Sequence, residues 1–390
     1  MRHLCLPTAY CELLTRLSLS MHIAILCRGL GAPGAVASIA LRQARELTRH
    51  ARITLVSDSF PDDASWAEQK LVRVPNLNVL RRFRHVPDEI AFARVGRRIV
   101  RSLQSVDFIL AHAHSASHLG ARGLGIPFGF FVHGDIFARP KGTYDARLTA
   151  FYRWIAPRAY ASADVVFALA PYLAEMARER GARNVAVVPN GIDLHDLGLP
   201  AAPKPHSRSG ALRMITVGRL SVEKGVEHLL AACRLLDPDV GYELTIAGSG
   251  PLEADLRAAA ADLPRVRFAG VVPRKSLGAL YRDHDLFVTA TLNEAFALVV
   301  LEALACGLPV IGTDVDALRA VVQDGENGLL VPPADPRALA DAITKLAGDE
   351  AFRMSLASRA HDSVLPRYAW SAIGDEIANV IRGIVNRMPS

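Results

Sequence analysis

The sequence is poor in aromatic residues, and its cysteines are few and scattered. Aromatic side chains make up 6% of the 390 residues, against 51% hydrophobic and 22% charged residues. The cysteines number five, and they show neither the even count of a disulfide framework nor the spacing of a metal site. Such cysteine usage is typical of a reducing compartment, so the sequence predicts a cytoplasmic protein.

Long hydrophobic runs are also missing. Charged residues, among them Glu302, interrupt the apolar stretches before they reach the roughly 18–20 residues of a membrane span. Residues 1–20 do not read as a signal peptide, because Glu12 and Arg16 break any apolar core. We expect residues 1–20 to be a mobile tail or an over-long start ahead of Met21. The sequence also has no internal repeat and no low-complexity tract.

Short apolar runs alternate with helix-like segments along the whole chain. Continuous apolar strands separated by helices predict parallel sheets covered on both faces. The predicted strands are His22–Cys27, Ile53–Ser57, Phe108–Ala111, Phe128–His133, Val165–Ala168, Met214–Val217, Leu244–Ala247, Leu286–Thr289 and Val310–Gly312. Two such sets predict the α/β class, with two doubly wound, Rossmann-like domains that face each other across a ligand-binding cleft.

The domain boundaries are predicted from composition. Residues 197–210, LGLPAAPKPHSRSG, are rich in Pro, Ser and Gly and form the expected linker. The first domain then covers residues 21–196 and the second covers residues 211–369. A last helical segment follows Trp370 and takes up residues 370–390.

One segment is strongly basic. The chain has a net charge of +6 and a pI of about 9.2, which favours anionic partners. Between Arg81 and Arg101 there are seven arginines and only two acids, and four of these arginines (94, 97, 98 and 101) share one helical face. The segment is interpreted either as a solvated helix face or as a peripheral contact with an anionic membrane.

A glycine-rich turn follows the first predicted strand. Residues 29–34, GLGAPG, match G-x-G-x-x-G, and Asp58 lies where a dinucleotide site places its ribose-binding acid. This pattern alone suggests an NAD-dependent oxidoreductase. Pro33, however, removes one N–H from the phosphate cradle, and the second half contains no hydride-transfer site. The glycine pattern fits two other interpretations equally well. It is either a turn that approaches an anion or a sugar hydroxyl, or a purely structural turn.

The loop after Val217 contains two cations five residues apart, Arg219 and Lys224, in the sequence GRLSVEKG. A leaving diphosphate needs such charges, because a guanidinium holds oxygens bidentately and an ammonium supplies a point charge. Two solvated surface cations are the alternative. A second close turn, GSGPL, begins at Gly248 and includes Gly250; it marks either a ligand mouth or a tight backbone turn.

Two acids eight residues apart give the strongest signal. Glu294 is expected in a loop after a strand, and Glu302 is expected inside an apolar helix. A buried carboxylate is costly unless it is paired or hydrogen-bonded. A vicinal diol of ribose or hexose would supply two donors, and an arginine would serve equally well in a purely structural pair.

Taken together, these stretches resemble the family-4 retaining glycosyltransferases of the GT-B fold. The similarity rests on VGRLSVEKG, IAGSGPL, FAGVV, LEALACGLPVIGT and DGENGLLVPPAD, and in the first half on VDFILAHAH, FVHG and VVPNGID. It covers most of the chain from Met21 to Trp370. It implies an acceptor-side first domain, completed by the 370–390 helix, and a second domain that binds a nucleotide-sugar donor.

The resemblance also implies roles for particular residues. Arg219 and Lys224 hold the donor pyrophosphate, Glu294 contacts the donor sugar, and Glu302 contacts the ribose. His133 faces the reacting sugar, and Gly34 lies near the phosphates and the acceptor. The implied catalytic residues are His133, Glu294, Arg219 and Lys224. The implied donor-binding residues are Gly34, Arg219, Lys224, Gly248, Gly250, Glu294, Ala295, Phe296, Ala297, Leu298 and Glu302.

The sequence departs from the family pattern in two places. Ala295 and Ala297 stand where small glycines are usual, and their methyl groups crowd a loop whose amides must touch the sugar. In the stretch from Asp316 to Ala320 the usual acid is missing. The implied reaction is a front-side displacement that retains configuration and needs no cofactor or metal. Asp314 and Asp316 form an Asp-x-Asp pattern, but the pyrophosphate already has two cations in Arg219 and Lys224, so no metal site is predicted there.

Several alternatives remain open at this level. A sugar-nucleotide epimerase or phosphorylase would use the same fold, and the alanine substitutions also fit a non-catalytic sugar-nucleotide binder. The expected partners are a nucleotide-sugar donor and a glycan, lipid-linked or small-molecule acceptor, with no nucleic acid. The protein is expected in the cytoplasm, with peripheral contact at the inner membrane face if the basic segment docks there.

Overall fold

The computed structural model describes residues 21–31, 35–61, 72–73, 86–112, 119–134, 146–198, 210–365 and 367–388. The chain divides into two compact units. The N-terminal unit comprises residues 1–189 and 370–390, and the C-terminal unit comprises residues 190–369. Each unit is built on one parallel sheet.

The sheet of the N-terminal unit has seven strands in the order β3-β2-β1-β4-β5-β6-β7, and all recorded pairs are parallel. Residues of β1, β4, β5 and β6 are fully buried, as expected for apolar strands covered on both faces. The strands are β1 (His22–Leu26), β2 (Arg52–Ser57), β3 (Val72–Arg73), β4 (Phe108–Ala111), β5 (Phe128–Val132), β6 (Val165–Ala168) and β7 (Val185–Val187).

Five helices surround this sheet in the described part of the N-terminal unit. They are α1 (Ala35–Leu47), α2 (Val86–Ser102), α3 (Ala146–Ser162), α4 (Pro171–Glu179) and, from the end of the chain, α12 (Trp370–Val385). Helix α12 packs on α1, where Gly374 lies against Glu46 and Asp375 pairs with Arg49. The last helix therefore contributes to the core of the N-terminal unit.

The sheet of the C-terminal unit has six parallel strands in the order β10-β9-β8-β11-β12-β13. Counted from β8, this is the 3-2-1-4-5-6 order of a dinucleotide-binding fold. The strands are β8 (Leu212–Val217), β9 (Tyr242–Ala247), β10 (Val266–Gly270), β11 (Leu286–Val288), β12 (Val310–Thr313) and β13 (Gly328–Val331).

Seven helices cover the faces of the second sheet in the described residues. They are α5 (Val226–Leu235), α6 (Glu253–Ala259), α7 (Arg274–Arg282), α8 (Leu298–Ala305), α9 (Asp316–Arg319), α10 (Pro336–Gly348) and α11 (Glu350–Val364). Asp335 caps α10 by accepting from the amides of Arg337 and Ala338, which satisfies two otherwise orphaned donors. Residues Leu229, Leu244 and Ile343 belong to the core that the helices and sheet enclose.

The predicted fold class is confirmed, because both sheets are parallel and doubly wound. Every predicted strand is present to within two residues. The division between the units falls after Pro189, ahead of the predicted linker 197–210, because the 3₁₀ turn His195–Leu197 packs on α7. Most of that linker, and residues 1–20, lie outside the described residues. Within the described segments, no helix combines the length and the apolarity of a membrane span.

Candidate active site

The predicted site residues of the C-terminal unit lie beyond the carboxyl ends of its strands. In doubly wound sheets the ligand crevice opens at this edge, where the strand order reverses. The order reverses here between β8 and β11. The loop after β8 contains Arg219 and Lys224, and the loop after β11 contains Glu294.

The loops after β8 and β9 pack backbone against backbone. The amide of Leu220 donates to the carbonyl oxygen of Ser249 at 3.0 Å, and the amide of Leu252 donates to Leu220 at 3.0 Å. A Cβ atom at Gly248 would overlap the carbonyl oxygen of Gly218, and one at Gly250 would overlap that of Leu220. Both positions therefore require glycine for packing, whatever contact they make with a donor.

Lys224 and Glu294 form an ion pair. Lys224 ends the 3₁₀ turn Val222–Lys224, and its stem lies over Gly218. Its ammonium reaches a carboxylate oxygen of Glu294, and each side chain keeps about one fifth of its surface exposed (22% and 20%). The exposed Arg219 lies five residues earlier on the same loop. The structure thus brings together two residues to which the sequence assigned separate roles.

Two threonines hold the loop that contains Glu294 in place. The Thr291 hydroxyl donates to the carbonyl oxygen of Glu223 at 2.9 Å, and the amide of Leu292 donates to the same oxygen at 2.8 Å. The Thr313 hydroxyl donates to the carbonyl oxygen of Thr291. These bonds tie the loops after β8 and β11 to each other and to the last residue of β12, so that Glu294 stays beside Lys224. Sequence reasoning missed both threonines.

The residues between the two acids lead into α8. Ala297 is the N-cap of that helix, and the amide of Leu298 donates to the carbonyl oxygen of Phe296 at 2.9 Å. The Phe296 ring is buried and lies 6.4 Å from the ring of Tyr368. Ala295, one residue earlier, is partly exposed. Phe296 thus anchors the loop to the core.

Glu302 lies in α8, as predicted, and only 3% of its surface is exposed. Arg274 donates to one carboxylate oxygen at 2.6 Å, and the Tyr281 hydroxyl donates to the other at 3.1 Å. Burial, followed by the nearby charge of Glu302, raises the pKa of Tyr281 well above its ordinary value. The arginine pair that the sequence left open is therefore present. Neither Arg274 nor Tyr281 was predicted.

The Asp-x-Asp pattern is held by one arginine. Arg319 bonds Asp314 at 2.5 Å and Asp316 at 2.9 Å, and its hydrogen bond lowers the pKa of Asp314. Among the residues that the structure describes, no group of three or more His, Cys, Asp or Glu side chains is placed to hold a metal ion.

In the N-terminal unit, His133 follows β5 and lies beside a second histidine. His112 follows β4, and its Nδ1 atom is 3.1 Å from Nε2 of His133. The His112 ring stacks on Phe131 at 5.3 Å with an interplanar angle of 6°. Burial, and then the neighbouring His133, hold the pKa of His112 well below its ordinary value. Gly34 lies outside the described residues.

Asp58 stabilises the glycine-rich turn after β1. Its carboxylate accepts from the amide of Gly29 at 2.7 Å and from Arg28 at 3.2 Å. In a dinucleotide site this acid would instead bind the ribose. The contacts favour a structural role for Asp58 over the one required by the NAD alternative.

Two family models match the chain. The model described as Glycosyltransferase Family 4 matches residues 36–196, and the model described as Glycosyl transferases group 1 matches residues 211–349. Together they cover more than half of the chain. The chain belongs to the family-4 glycosyltransferases.

Individual relatives agree with this family-4 assignment. A phosphatidyl-myo-inositol mannosyltransferase of Mycobacterium leprae is 33% identical over 197 residues, which is 50% of this chain and 52% of the relative. The chain thus spans about half the length of the curated relatives it matches.

Solved structures show the fold of this family-4 chain. Sucrose-phosphate synthase from Thermosynechococcus elongatus superposes with a TM-score of 0.77 at 19% identity, covering 94% of this chain and 100% of that one. HepE of Anabaena, in complex with UDP-glucose, superposes with a TM-score of 0.70 at 20% identity, covering 93% of this chain and 100% of that one. The predicted GT-B class is confirmed.

Proposed function

We propose that the chain is an enzyme that moves a sugar from a nucleotide-diphosphate sugar to an acceptor with retention of the anomeric configuration. The observation that supports this best is the Lys224–Glu294 ion pair at the strand edge where a doubly wound sheet takes its ligand. The ammonium suits the diphosphate, and the carboxylate suits the hydroxyl groups of the sugar. Family membership favours the same chemistry.

The proposed reaction breaks the bond between the anomeric carbon and the diphosphate oxygen. The acceptor oxygen attacks from the same face, and its proton passes to the leaving phosphate. Negative charge grows on the diphosphate, and Arg219 and Lys224 stabilise it. Fixed charges that meet the developing charge are the main source of catalysis in such a site. His133 is proposed to contact the reacting sugar.

Glu294 has a second task in this proposal. In the structure it neutralises Lys224. When a donor binds, the phosphate oxygens take over the ammonium and the sugar hydroxyls take over the carboxylate. The ion pair therefore keeps the ammonium of Lys224 and the carboxylate of Glu294 in place for the donor.

Glu302 is proposed to contact the donor ribose. Both of its oxygens already accept one hydrogen bond each, from Arg274 and Tyr281. A carboxylate accepts about four hydrogen bonds in all, so a diol can bind while Tyr281 stays in place. Arg274 is half exposed, so part of its guanidinium stays accessible to a ligand while it pairs with Glu302. Contact with the ribose thus requires the carboxylate oxygens of Glu302 to accept hydrogen bonds from the ribose as well as from the protein.

The class of donor and acceptor is proposed from the relatives. HepE was solved with UDP-glucose, and the Mycobacterium relative is named for transfer to phosphatidyl-myo-inositol. A nucleotide-diphosphate hexose and a lipid or lipid-linked acceptor are therefore the first candidates. Helix α2 would support a lipid or lipid-linked acceptor, because Arg94, Arg98 and Arg101 are exposed on it. Three other arginines of the basic segment, Arg81, Arg82 and Arg84, lie outside the described residues.

We also propose that turnover needs no metal ion. Arg219 and Lys224 supply the positive charge, while Arg319 engages Asp314 and Asp316. Activity should survive EDTA. Loss of turnover in EDTA that magnesium or manganese restores would contradict this proposal and make Asp314 and Asp316 candidate ligands.

A ligand screen followed by product analysis tests the proposed function. A nucleotide-diphosphate sugar at 100 times its Kd should add about 2.7 kcal/mol of stability and raise the Tm. The stabilising donor is then incubated with acceptor candidates, and the product is analysed for the new glycosidic bond and its anomeric form. Inversion of configuration would contradict retention, and isomerisation of the donor without an acceptor would favour an epimerase. Binding without any turnover would favour a non-catalytic protein.

A further inference from the structure

Tyr281 is a buried tyrosine near the end of α7, and the proposed reaction assigns it no task. None of its surface is exposed (0%), and its ring centroid lies 6.1 Å from that of Phe287 on β11. Phe287 is itself completely buried. In a close-packed core such a ring has little freedom to move, so the hydroxyl of Tyr281 keeps one position.

The hydroxyl of Tyr281 donates to Oε2 of Glu302 at 3.1 Å, while Arg274 donates to Oε1 at 2.6 Å. A carboxylate that pairs with a guanidinium offers only acceptors, so the proton of the first bond belongs to the tyrosine. Burial raises the pKa of Tyr281 well above its ordinary value, and the hydroxyl therefore keeps that proton. The chemistry of the two partners thus fixes the direction of the hydrogen bond.

The two donors to Glu302 differ in exposure. Arg274 and Tyr281 are seven residues, or about two helical turns, apart on α7, so they lie on one face of that helix. Half of the Arg274 side chain is exposed, whereas Tyr281 is buried. The carboxylate of Glu302 therefore has an inner oxygen, held in the core by Tyr281, and an outer oxygen on the side of Arg274. A ligand reaches the carboxylate from the Arg274 side.

An exposed arginine alone would hold the carboxylate of Glu302 loosely, because a long side chain in water has many rotamers. The buried tyrosine removes this freedom, since turning the carboxylate away would leave the hydroxyl without an acceptor in the core. About two of the four acceptor positions of a carboxylate remain for a ligand once both protein donors are bound. The position of Tyr281 decides where these remaining lone pairs point.

We infer that Tyr281 is a positioning residue for the donor ribose: its hydroxyl anchors Oε2 of Glu302 in the core, and so directs the remaining lone pairs of the carboxylate toward the ribose hydroxyls. The inference rests on the proposed function, in which Glu302 contacts the ribose. A hydrogen bond that only satisfied a buried acid would stabilise the fold without affecting the choice between a ribose and a sugar that lacks its hydroxyls. The preference for ribose therefore separates positioning from stability.

Nucleotide binding tests the positioning role. Calorimetric titration of the full-length protein with UDP, GDP and ADP identifies the nucleotide that the parent binds most tightly, and its Kd is compared with that of its 2′,3′-dideoxy analogue. Tyr281→Phe keeps the ring and removes the hydroxyl. It should weaken binding of the ribonucleotide about 5–10-fold, as for one ordinary hydrogen bond, and leave binding of the dideoxy analogue unchanged. Equal weakening of both nucleotides, or an unchanged preference for the ribonucleotide, would overturn the inference.

Tyr368→Phe is the matched control. Tyr368 is 3% exposed, and its hydroxyl donates to the carbonyl oxygen of Ala320 at 3.1 Å. This variant also loses a buried hydroxyl of the C-terminal unit, so melting curves should show a loss of stability in both variants. The preference for ribose should stay at the parent's level in Tyr368→Phe. An equal loss of preference in this control would assign the effect to packing and overturn the inference.

A double variant covers the case in which Tyr281→Phe folds poorly because a buried charge loses a donor. Glu302→Leu removes that charge, and Tyr281→Phe is then added to it, so that both partners of the buried hydrogen bond become apolar. If Tyr281 acts through the carboxylate, the second change should leave the Kd of the ribonucleotide as it is in Glu302→Leu. A further weakening would show that Tyr281 acts by another route, which would overturn the inference.

Kinetics give a second readout of the same role. In Tyr281→Phe the donor KM should rise by the same factor as the Kd, while kcat stays unchanged, because the ribose takes no part in bond breaking. A lower kcat with an unchanged KM would contradict positioning of the ribose.

The outcomes separate this inference from the proposed function. If the parent binds none of the three nucleotides, the proposed function fails. A crystal structure of Tyr281→Phe then still decides whether Tyr281 holds Glu302, because the carboxylate should turn away from its position in the parent, and an unmoved carboxylate would overturn the inference. If the parent binds the ribonucleotide and its dideoxy analogue equally, the inference fails while a nucleotide donor stands.

Discussion

Lys224 has one contact in the structure and a different one in the proposed reaction. It pairs with Glu294 and is proposed to bind the diphosphate. Removing one fixed charge from a transition state costs about 2–4 kcal/mol. We therefore expect Lys224→Ala to lower kcat/KM by a factor on the order of 30–1,000. Lys345→Ala, an exposed lysine on α10, is the matched control. Full kcat/KM in Lys224→Ala would remove Lys224 from the site.

Glu302 and Arg274 form a pair in which only one member is deeply buried. Arg274→Ala leaves a carboxylate that is 3% exposed without its cation, so the free energy of unfolding should fall by about 1–3 kcal/mol. Adding Glu302→Gln removes the buried charge, and the double variant should recover most of that stability. Denaturant unfolding of the two single variants and the double variant measures the coupling. Equal stability of Arg274→Ala and the parent would mean that water replaces the arginine.

Nucleotide binding tests the other proposed role of Glu302. Glu302→Gln keeps the shape of the side chain but loses the charge that strengthens its hydrogen bonds. Binding of the free nucleoside diphosphate should weaken by about 1–2 kcal/mol, and the defect should appear in donor KM. Glu294→Gln serves as the comparison, since loss of a contact with the reacting sugar should appear in kcat. If folded Glu302→Gln binds the nucleotide as tightly as the parent, Glu302 has only a structural role.

At the residue scale, the sequence predicted the important side chains better than their partners. Glu302 was correctly placed inside a helix, because a Glu within an apolar run has few explanations. Lys224 is 70 residues away from Glu294, and Arg274 is 28 residues away from Glu302. No local pattern encodes such pairs, since they depend on how the strands are ordered. Thr291 was missed because a threonine at the end of a strand is common.

At the scale of elements, glycines fix how the loops meet. Gly225 has φ +58°, and a Cβ there would overlap the carbonyl oxygen of Ala290. Because an alanine meets both backbone strain and this overlap, Gly225→Ala should lower the free energy of unfolding by about 2–3 kcal/mol. Gly348, at the end of α10, has open space around it. There the same change should be neutral or stabilising by up to about 1 kcal/mol. Similar urea midpoints for the two variants would contradict this account.

The same scale explains which strands the sequence could predict. Strands β1, β4, β5 and β6 are buried throughout, and their apolar runs were recognised. The four edge strands, β3, β7, β10 and β13, were not predicted, and the reason is visible in β7 and β10. Their residues are only partly buried, as in VRFAG of β10, where exposed and half-buried positions alternate. An edge strand packs on fewer neighbours, so its composition differs little from that of a loop.

At the scale of the whole molecule, the end of the chain returns to the N-terminal unit. In α12 a Cβ added to Gly374 would lie 2.6 Å from Cβ of Glu46 on α1. Gly374→Ala should therefore push the helices apart and cost about 1–3 kcal/mol. Hydrogen exchange should quicken in α1 and α12 and stay unchanged in the C-terminal unit. Gly383→Ala lies on an exposed part of the same helix and is the control. Equal exchange in both variants would argue against tight packing of α12.

The distribution of charge over the molecule leads to a test of membrane contact. The net charge is +6, and α2 contributes the exposed residues Arg98 and Arg101. Each basic residue near an anionic bilayer adds about 1 kcal/mol of binding. Arg98→Gln with Arg101→Gln should therefore weaken partition onto phosphatidylserine vesicles by roughly 30-fold. Arg382→Gln with Arg387→Gln removes the same charge from two other exposed positions, one on α12 and one just after its end. If net charge alone drives binding, both pairs will weaken it equally. If α2 is the docking face, only the first pair of substitutions will weaken binding. Binding of the parent will also fall as salt is added, because charges beyond the Debye length of about 8 Å are screened. Equal partition of the parent onto neutral and anionic vesicles would reject the contact, because the arginines of α2 would then be a solvated helix face.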